Sequence, residues 1–201
     1  MSAVLPAWRA IVKGEGETAS LIGAQAGEVH MRARPGEDAI DIAVSADDAH
    51  FPDPAQSATG ARIDVEHLNL VTVINRPVKT NLADMESWLG KWRDGGGVAD
   101  VRRMFFDSVH LTGEGAGTVN LTPDGQIEGA LKVRFTRLDQ FAEALVTRGV
   151  ISDKDRNLLR GAVGLFAKST NGQKSVTLPV RIRDGQIYFG PVKVATLPAL
   201  M

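Results

Sequence analysis

Cysteine is absent from this chain, which excludes disulfides, thiol nucleophiles and thiolate metal ligands together. The absence selects no compartment, since cytosolic and periplasmic proteins both manage without it. An excess of either charge is also missing: 23 Lys and Arg stand against 24 Asp and Glu, a net charge of −1, so no global field draws in nucleic acid. No apolar run is long enough for a signal peptide or a membrane span, and no transmembrane segment is expected. At 201 residues the chain can bury roughly 70% of the surface its unfolded form exposes, enough for one core without staples.

Motifs of catalysis are equally scarce. No Ser sits in a Gly-x-Ser-x-Gly elbow, and none precedes a Lys by three positions. The segments Gly14-Glu15-Gly16 and Gly113-Glu114-Gly115-Ala116-Gly117 lack the Lys-Ser/Thr of a phosphate loop, and their glutamates would repel a phosphate; they read as turns or bulges. His30, His50, His67 and His110 are never spaced at i, i+2 or i, i+4, and the cluster Asp47, Asp48, His50, Asp53 lacks the glycine of a calcium loop. No catalytic residue, metal ligand or cofactor is therefore predicted, and the chain is expected not to be an enzyme.

What is present is a repeat. Asp124-Gly125-Gln126-Ile127 recurs as Asp184-Gly185-Gln186-Ile187, each copy lying between stretches of alternating apolar and polar residues. Asp-Gly reverses two twisted strands in a tight turn, so each copy predicts a β-hairpin. The return strand of the first is the clearest, with Ile127, Gly129, Leu131, Val133 and Phe135 on one face and Glu128, Lys132 and Arg134 on the other.

The same rhythm predicts strands over 8–12, 29–34, 40–44, 61–75, 98–106, 109–112, 117–121 and 176–183, with a shorter one carrying Ile187 and Phe189. Residues 47–60 read as a surface loop. Apolar parity changes within 61–75, which predicts a bulge near Glu66-His67 or, as the alternative, a strand covered on both faces at its C-terminal end. Pro179 lacks an N–H, so its strand should lie at an edge or turn that nitrogen outward.

Three helices are expected. The first is capped by Asn81, carries Leu82, Met85, Leu89 and Trp92 and is stopped by Gly95-Gly96-Gly97. The second is capped by Thr136, with Leu138, Phe141, Ala142, Leu145 and Val146 as its stripe. The third is capped by Ser152, buries Leu158, Leu159, Ala162, Val163 and Phe166, and has Gly161 and Gly164 to let a neighbour approach closely. The fold class is α+β: antiparallel, strongly twisted sheet built from hairpins, with about three helices packed on one face. One domain over 1–201 is expected, with sub-regions 1–80 and 81–201 as the alternative.

Two surfaces are candidates for a ligand or partner. Arg32, Arg34, Arg102, Arg103, Lys132, Arg134, Arg181 and Arg183 all fall on strands. As neighbours they would form a cationic surface able to hold phosphate-bearing lipid or an acidic partner; alternatively they solvate an outer face and are neutralised by residues such as Glu128 and Asp100. Trp88 and Trp92 could likewise meet a lipid or partner, or simply pack in the core.

The run from Trp88 to Gly96, the pattern Gly113-x-Gly115 to Leu121-x-x-Asp124-Gly125-x-Ile127-x-Gly129, and the ending from Leu178 to Pro191 resemble an uncharacterised Gram-negative bacterial family, the domain-of-unknown-function family twenty-one twenty-five. The resemblance covers nearly the whole chain and is most specific from Leu82 to Leu200. It implies the C-terminal portion of a longer envelope protein whose N-terminal membrane or signal segment is missing here. The location it implies is periplasmic, or anchored in the inner membrane and facing the periplasm. The expected function is non-enzymatic: binding a lipid-like ligand or another envelope protein through the sheet, and no nucleic acid. The alternative is a scaffolding domain that mediates protein–protein association.

Overall fold

A computed structural model of the chain describes residues 2–12, 20–52, 62–78, 85–170, 173–197 and 199–200. Among the described residues eleven strands form one sheet: β1 (Ser2–Val12), β2 (Ser20–Ala33), β3 (Ala39–Pro52), β4 (Arg62–Asn75), β5 (Ala99–Asp107), β6 (Thr112–Leu121), β7 (Ile127–Thr136), β8 (Lys168–Thr170), β9 (Gln173–Arg183), β10 (Gln186–Phe189) and β11 (Val192–Thr196). The helices are α1 (Met85–Asp94), α2 (Leu138–Thr147) and α3 (Asp153–Phe166). The fold is therefore α+β around an antiparallel sheet.

Sheet order runs β1-β2-β3-β4-β5-β6-β7-β9-β10-β11, with β8 paired to β9 off that path. Strands adjacent in the chain are adjacent in space except where α2, α3 and β8 intervene between β7 and β9. Because β4 pairs with β5 from His67↔Asp107 to Ile74↔Ala99, the ladder continues across residue 80.

Period-2 patterning explains the core. Leu131, Val133 and Phe135 of β7 stand opposite Val180, Leu178 and Val176 of β9, and all six are buried. With Leu138, Ala142 and Leu145 of α2 and Leu159 of α3 they belong to the largest apolar cluster. A second cluster gathers Trp92 of α1 with Ala99 and Leu121, and a third gathers Ala24, Ala46, Ala49 and Val65.

Several expectations need correction. β2 begins at Ser20, nine residues before the strand expected from residue 29, and β3 runs to Pro52, so residues 47–52 are strand rather than loop. Their partners hold them there, since Asp47 pairs with His67 and Phe51 with Ile63. The β4–β5 register shift falls at Val71/Thr72, not at Glu66-His67. Parity nevertheless changes near Glu66, because Asp48 opposite it takes φ 48° and Val65 and Leu68 join one cluster. Residues 109–111 are not strand: β6 starts at Thr112 and absorbs the Gly-x-Gly-x-Gly segment.

Capping also departs from expectation at one helix. Thr136 stays in β7, paired with both Thr112 and Ser175, and the N-cap of α2 is Arg137 at φ 62°, with no side-chain cap bond. Ser152 caps α3 as expected, in a reciprocal box with Asp155. Of the predicted α3 face only Leu159 is buried, whereas Leu158 and Phe166 are exposed. Gly161 and Gly164 face open space rather than a close neighbour. Asn81 and Leu82 lie outside the described residues.

The twin Asp-Gly turns differ. Asp184 and Gly185 have φ 50° and 69° and form a two-residue loop between Arg183 and Gln186. The first turn spans residues 122–126; only Gly125 is at positive φ there, and Thr122 N–H donates to the Gln126 carbonyl. Both corners meet the same C-terminal tail: Leu197 N–H donates to the Gly185 carbonyl and Leu200 N–H to that of Gly125. Pro179 lies in the interior strand β9, where its carbonyl accepts from Gly190 beyond the last β10 pair. Its nitrogen, on the same side of the strand, thus faces no ladder partner.

Candidate functional site

The inward row of β6 is unusual, because Gly113, Gly115 and Gly117 replace side chains there. On the flanking strands Phe106 and Phe135 stand opposite Gly113, Met104 and Val133 opposite Gly115, and Val101 and Leu131 opposite Gly117. A Cβ on Gly117 would sit 2.2 Å from the Ala130 carbonyl oxygen, and one on Gly129 would sit 2.3 Å from that of Thr118. Only glycine lets the backbones approach so closely.

Against this row lies a cavity of about 480 Å³. Its floor is Met104, Phe106, Leu131, Val133 and Phe135, its side Val180, Ile182, Ile187, Phe189 and Val194, and its cover Phe141, Ala144 and Leu145 of α2. Aromatic contacts hold this wall in place: the Phe135 and Phe189 rings are 4.5 Å apart and those of Phe141 and Phe189 5.9 Å. Polar groups enter only through Asp64, Ser108, His110 and Arg148, alongside Val109, which is 60% exposed. The volume lies within the range of ligand pockets, roughly 300–1,000 Å³, and the lining has the largely hydrocarbon character of such sites.

The loop at residues 108–111 is fixed from several sides. Ser108 N–H donates to the Leu111 carbonyl at 3.0 Å, and the Ser108 hydroxyl donates to the same oxygen at 2.9 Å. The Arg137 guanidinium donates to the Ser108 carbonyl and the Thr112 hydroxyl, each at 2.7 Å, and to the Asp107 carboxylate. Leu111 is thereby buried while Val109 and His110 face solvent.

None of the ten residues singled out from the sequence lines this cavity. Arg32 and Arg34 both donate to Asp41, at 2.9 and 2.7 Å, and Arg34 also reaches Glu37. The bonds from Arg32 and then Arg34 hold the Asp41 carboxyl below its ordinary range. Arg102 pairs with Asp100, and Arg103 and Arg134 share Glu114. Lys132, Arg181 and Arg183 are exposed with no ion pair to a described residue. The basic residues thus lie on the polar side of their strands, most of them matched by a carboxylate, rather than as one cationic surface.

The tryptophans pack inward. Trp92 is 5% exposed, its indole N–H donating to the Asn75 carbonyl at 2.8 Å. Half-buried Trp88 stacks on it at 6.0 Å and donates to the Val78 carbonyl. Trp92 is therefore core, not surface. In the loop read as a weak metal cluster, Asp47 is bonded by His67 at 2.8 Å rather than by His50, and Asp53 lies outside the described residues.

The cavity's residues are legible in sequence only as core positions. Gly-x-Gly-x-Gly on alternating positions was the available signal: in a strand it places three glycines on one face.

The chain matches the model of a family described as an uncharacterized protein conserved in bacteria (DUF2125), over residues 7–198. It belongs to that family. The match corrects the resemblance drawn from sequence, which took the chain for the C-terminal portion of such a protein: the family model is matched over nearly the whole chain, residues 7–198. No curated protein and no solved structure matches it. Among the described residues no helix is long and apolar enough to cross a membrane.

Proposed function

We propose that this family member is a non-enzymatic envelope protein that binds a lipid-like molecule by its hydrocarbon part, in the cavity between the sheet and α2. The observation that carries the reading is the apolar lining of a pocket of about 480 Å³ that opens beside Val109 and Arg148. Each buried methylene of a guest contributes roughly 0.8 kcal/mol, and an apolar site needs few polar contacts for useful affinity. In this reading the three helices cover the same sheet face, α2 serves as the lid of the pocket, and the protein works in the periplasm, where free lipid must be shielded from water. The basic residues on the opposite side of the strands keep that face soluble.

The test is displacement of a fluorescent fatty acid from purified protein, with native mass spectrometry of freshly prepared material. Saturable binding that Ile187→Trp abolishes, because indole fills the pocket, is the expected result. Absence of any co-purifying lipid together with no fatty-acid uptake overturns the proposal.

A further inference from the structure

Val194 and Ala195 are neighbours in β11, yet both line the cavity. Successive residues of a regular strand point to opposite faces, so one of the two is out of step. The pairing with β10 shows why: Tyr188 stands opposite Lys193 and Ile187 opposite Ala195, which leaves Val194 as the extra residue of a bulge. In an unbroken ladder Val194 would face Ile187. The bulge sets the smaller alanine there instead, on the last strand that the cavity reaches.

This corner is the part of the cavity farthest from its polar groups. Ser108 and His110 stand where the cavity opens, in the loop that follows β5, and Phe106 and Phe135 mark that end of the sheet on one row through Gly113. Ala195 lies on the row of Ile187, Ile182 and Gly129, six residues down β7 from Phe135, or about 20 Å. Over that length a volume of about 480 Å³ averages roughly 24 Å² in cross-section. Carbon groups in contact lie about 4–4.5 Å apart, so one hydrocarbon chain fits this width and a second beside it does not. At the roughly 30 Å³ that a water-sized group occupies, the same volume holds about sixteen carbons.

We propose that the cavity is a length gauge for a single acyl chain, which enters tail first past residues 108–110 and stops with its terminal methyl against Ala195. The inference rests on the lipid-binding reading above and names its ligand class: amphiphiles with one chain of up to about sixteen carbons, not two-chain phospholipids. Ala195 is the residue that sets the length.

The test is displacement of a fluorescent fatty acid from the purified chain by saturated fatty acids of about eight to about twenty carbons. Affinity is expected to rise about fourfold per added methylene up to about sixteen carbons and then to level off. Ala195→Leu, larger by about three methylenes, moves the break to chains about three carbons shorter. Acids below the new break bind this variant as they bind wild type, which also shows that it folds. Ala195→Val, β-branched and suited to a strand, is the second variant and moves the break by about two carbons. The gauge is overturned if wild-type affinity climbs with no break, or if the break stays in place in the Ala195 variants. A co-purifying two-chain phospholipid, seen by native mass spectrometry and expelled by Ile187→Trp, also overturns it. Acids that bind without a break remove only the gauge, whereas no binding at any length removes the lipid reading with it.

Discussion

Arg137, at the junction of β7 and α2, donates to the carboxylate of Asp107, 30 positions earlier at the end of β5. The backbone of Arg137 is left-handed, φ 62°, a conformation that costs an L-residue roughly 1–2 kcal/mol relative to glycine. Arg137→Ala keeps that cost and loses the bonds to Asp107, Ser108 and Thr112, whereas Arg137→Gly loses the bonds but relaxes the backbone. Both variants should be destabilised in urea by about 1–3 kcal/mol, with glycine the milder by about 1 kcal/mol. Equal losses would show that the backbone carries no strain.

Phe135 tests the cavity wall. It is 1% exposed and its ring meets Phe189, so Phe135→Ala should cost roughly 3–5 kcal/mol, read as a fall in the thermal midpoint. A loss below about 1 kcal/mol would mean that the wall collapses to fill the space.

Two glycine substitutions should act with opposite sign. At Gly117 the added Cβ runs into the backbone of β7, so Gly117→Ala should destabilise the fold strongly. At Gly161, in mid-helix and facing open space, Gly161→Ala should stabilise by up to about 1 kcal/mol. Chemical denaturation of the two variants side by side settles both signs.

The two Asp-Gly corners predict unequal sensitivity. Asp184 occupies the left-handed region and Asp124 does not. Asp184→Ala should therefore cost about 1 kcal/mol more than Asp124→Ala. Matching losses would contradict the difference in turn geometry.

A pH effect is attached to His67. Its hydrogen bond with Asp47 raises its pKa above the ordinary 6.5, with the Asp47, Asp107 and Glu66 charges acting in the same direction. A raised folded value means that the stabilisation is complete below pH 6.5 and fades as pH climbs through the folded pKa. Asp155 behaves in the opposite sense: the Ser152 hydroxyl, then its backbone N–H, lowers its pKa, so the α3 cap is intact above the usual carboxylate range and fails as acid protonates it. Proton NMR titration of the His67 ring should show the elevated value returning toward normal in Asp47→Asn.

Much of this architecture was legible. Alternation identified the buried face of each strand, Leu131, Val133 and Phe135 in β7 and Val176, Leu178 and Val180 in β9, but not that the two strands pair, because a side-chain period of two is satisfied by any even shift and any partner. Ser152 was legible because capping is local chemistry. Arg137 was not, since its role depends on Asp107 and Ser108, which sequence places far away. Residues 47–52 were misread for a related reason: polar residues there form strand only because β4 lies alongside. The cavity stayed hidden because its lining has the signature of ordinary core, and whether apolar side chains enclose space is decided by how distant elements, here β5, β7, β9 and α2, come together. α3 was misassigned at Leu158 and Phe166 because apolar spacing does not state which side of a helix has a neighbour.

Near-sequential strand order carries a kinetic consequence. Every step along the main path of the sheet joins successive strands except the one from β7 to β9, so short-range loop closures can assemble most of the ladder from several starting hairpins. The segment between those two strands must fold back as a unit before Val133 can meet Leu178. Closure of that excursion, which brings α2 over the pocket, therefore governs when the interior becomes dry.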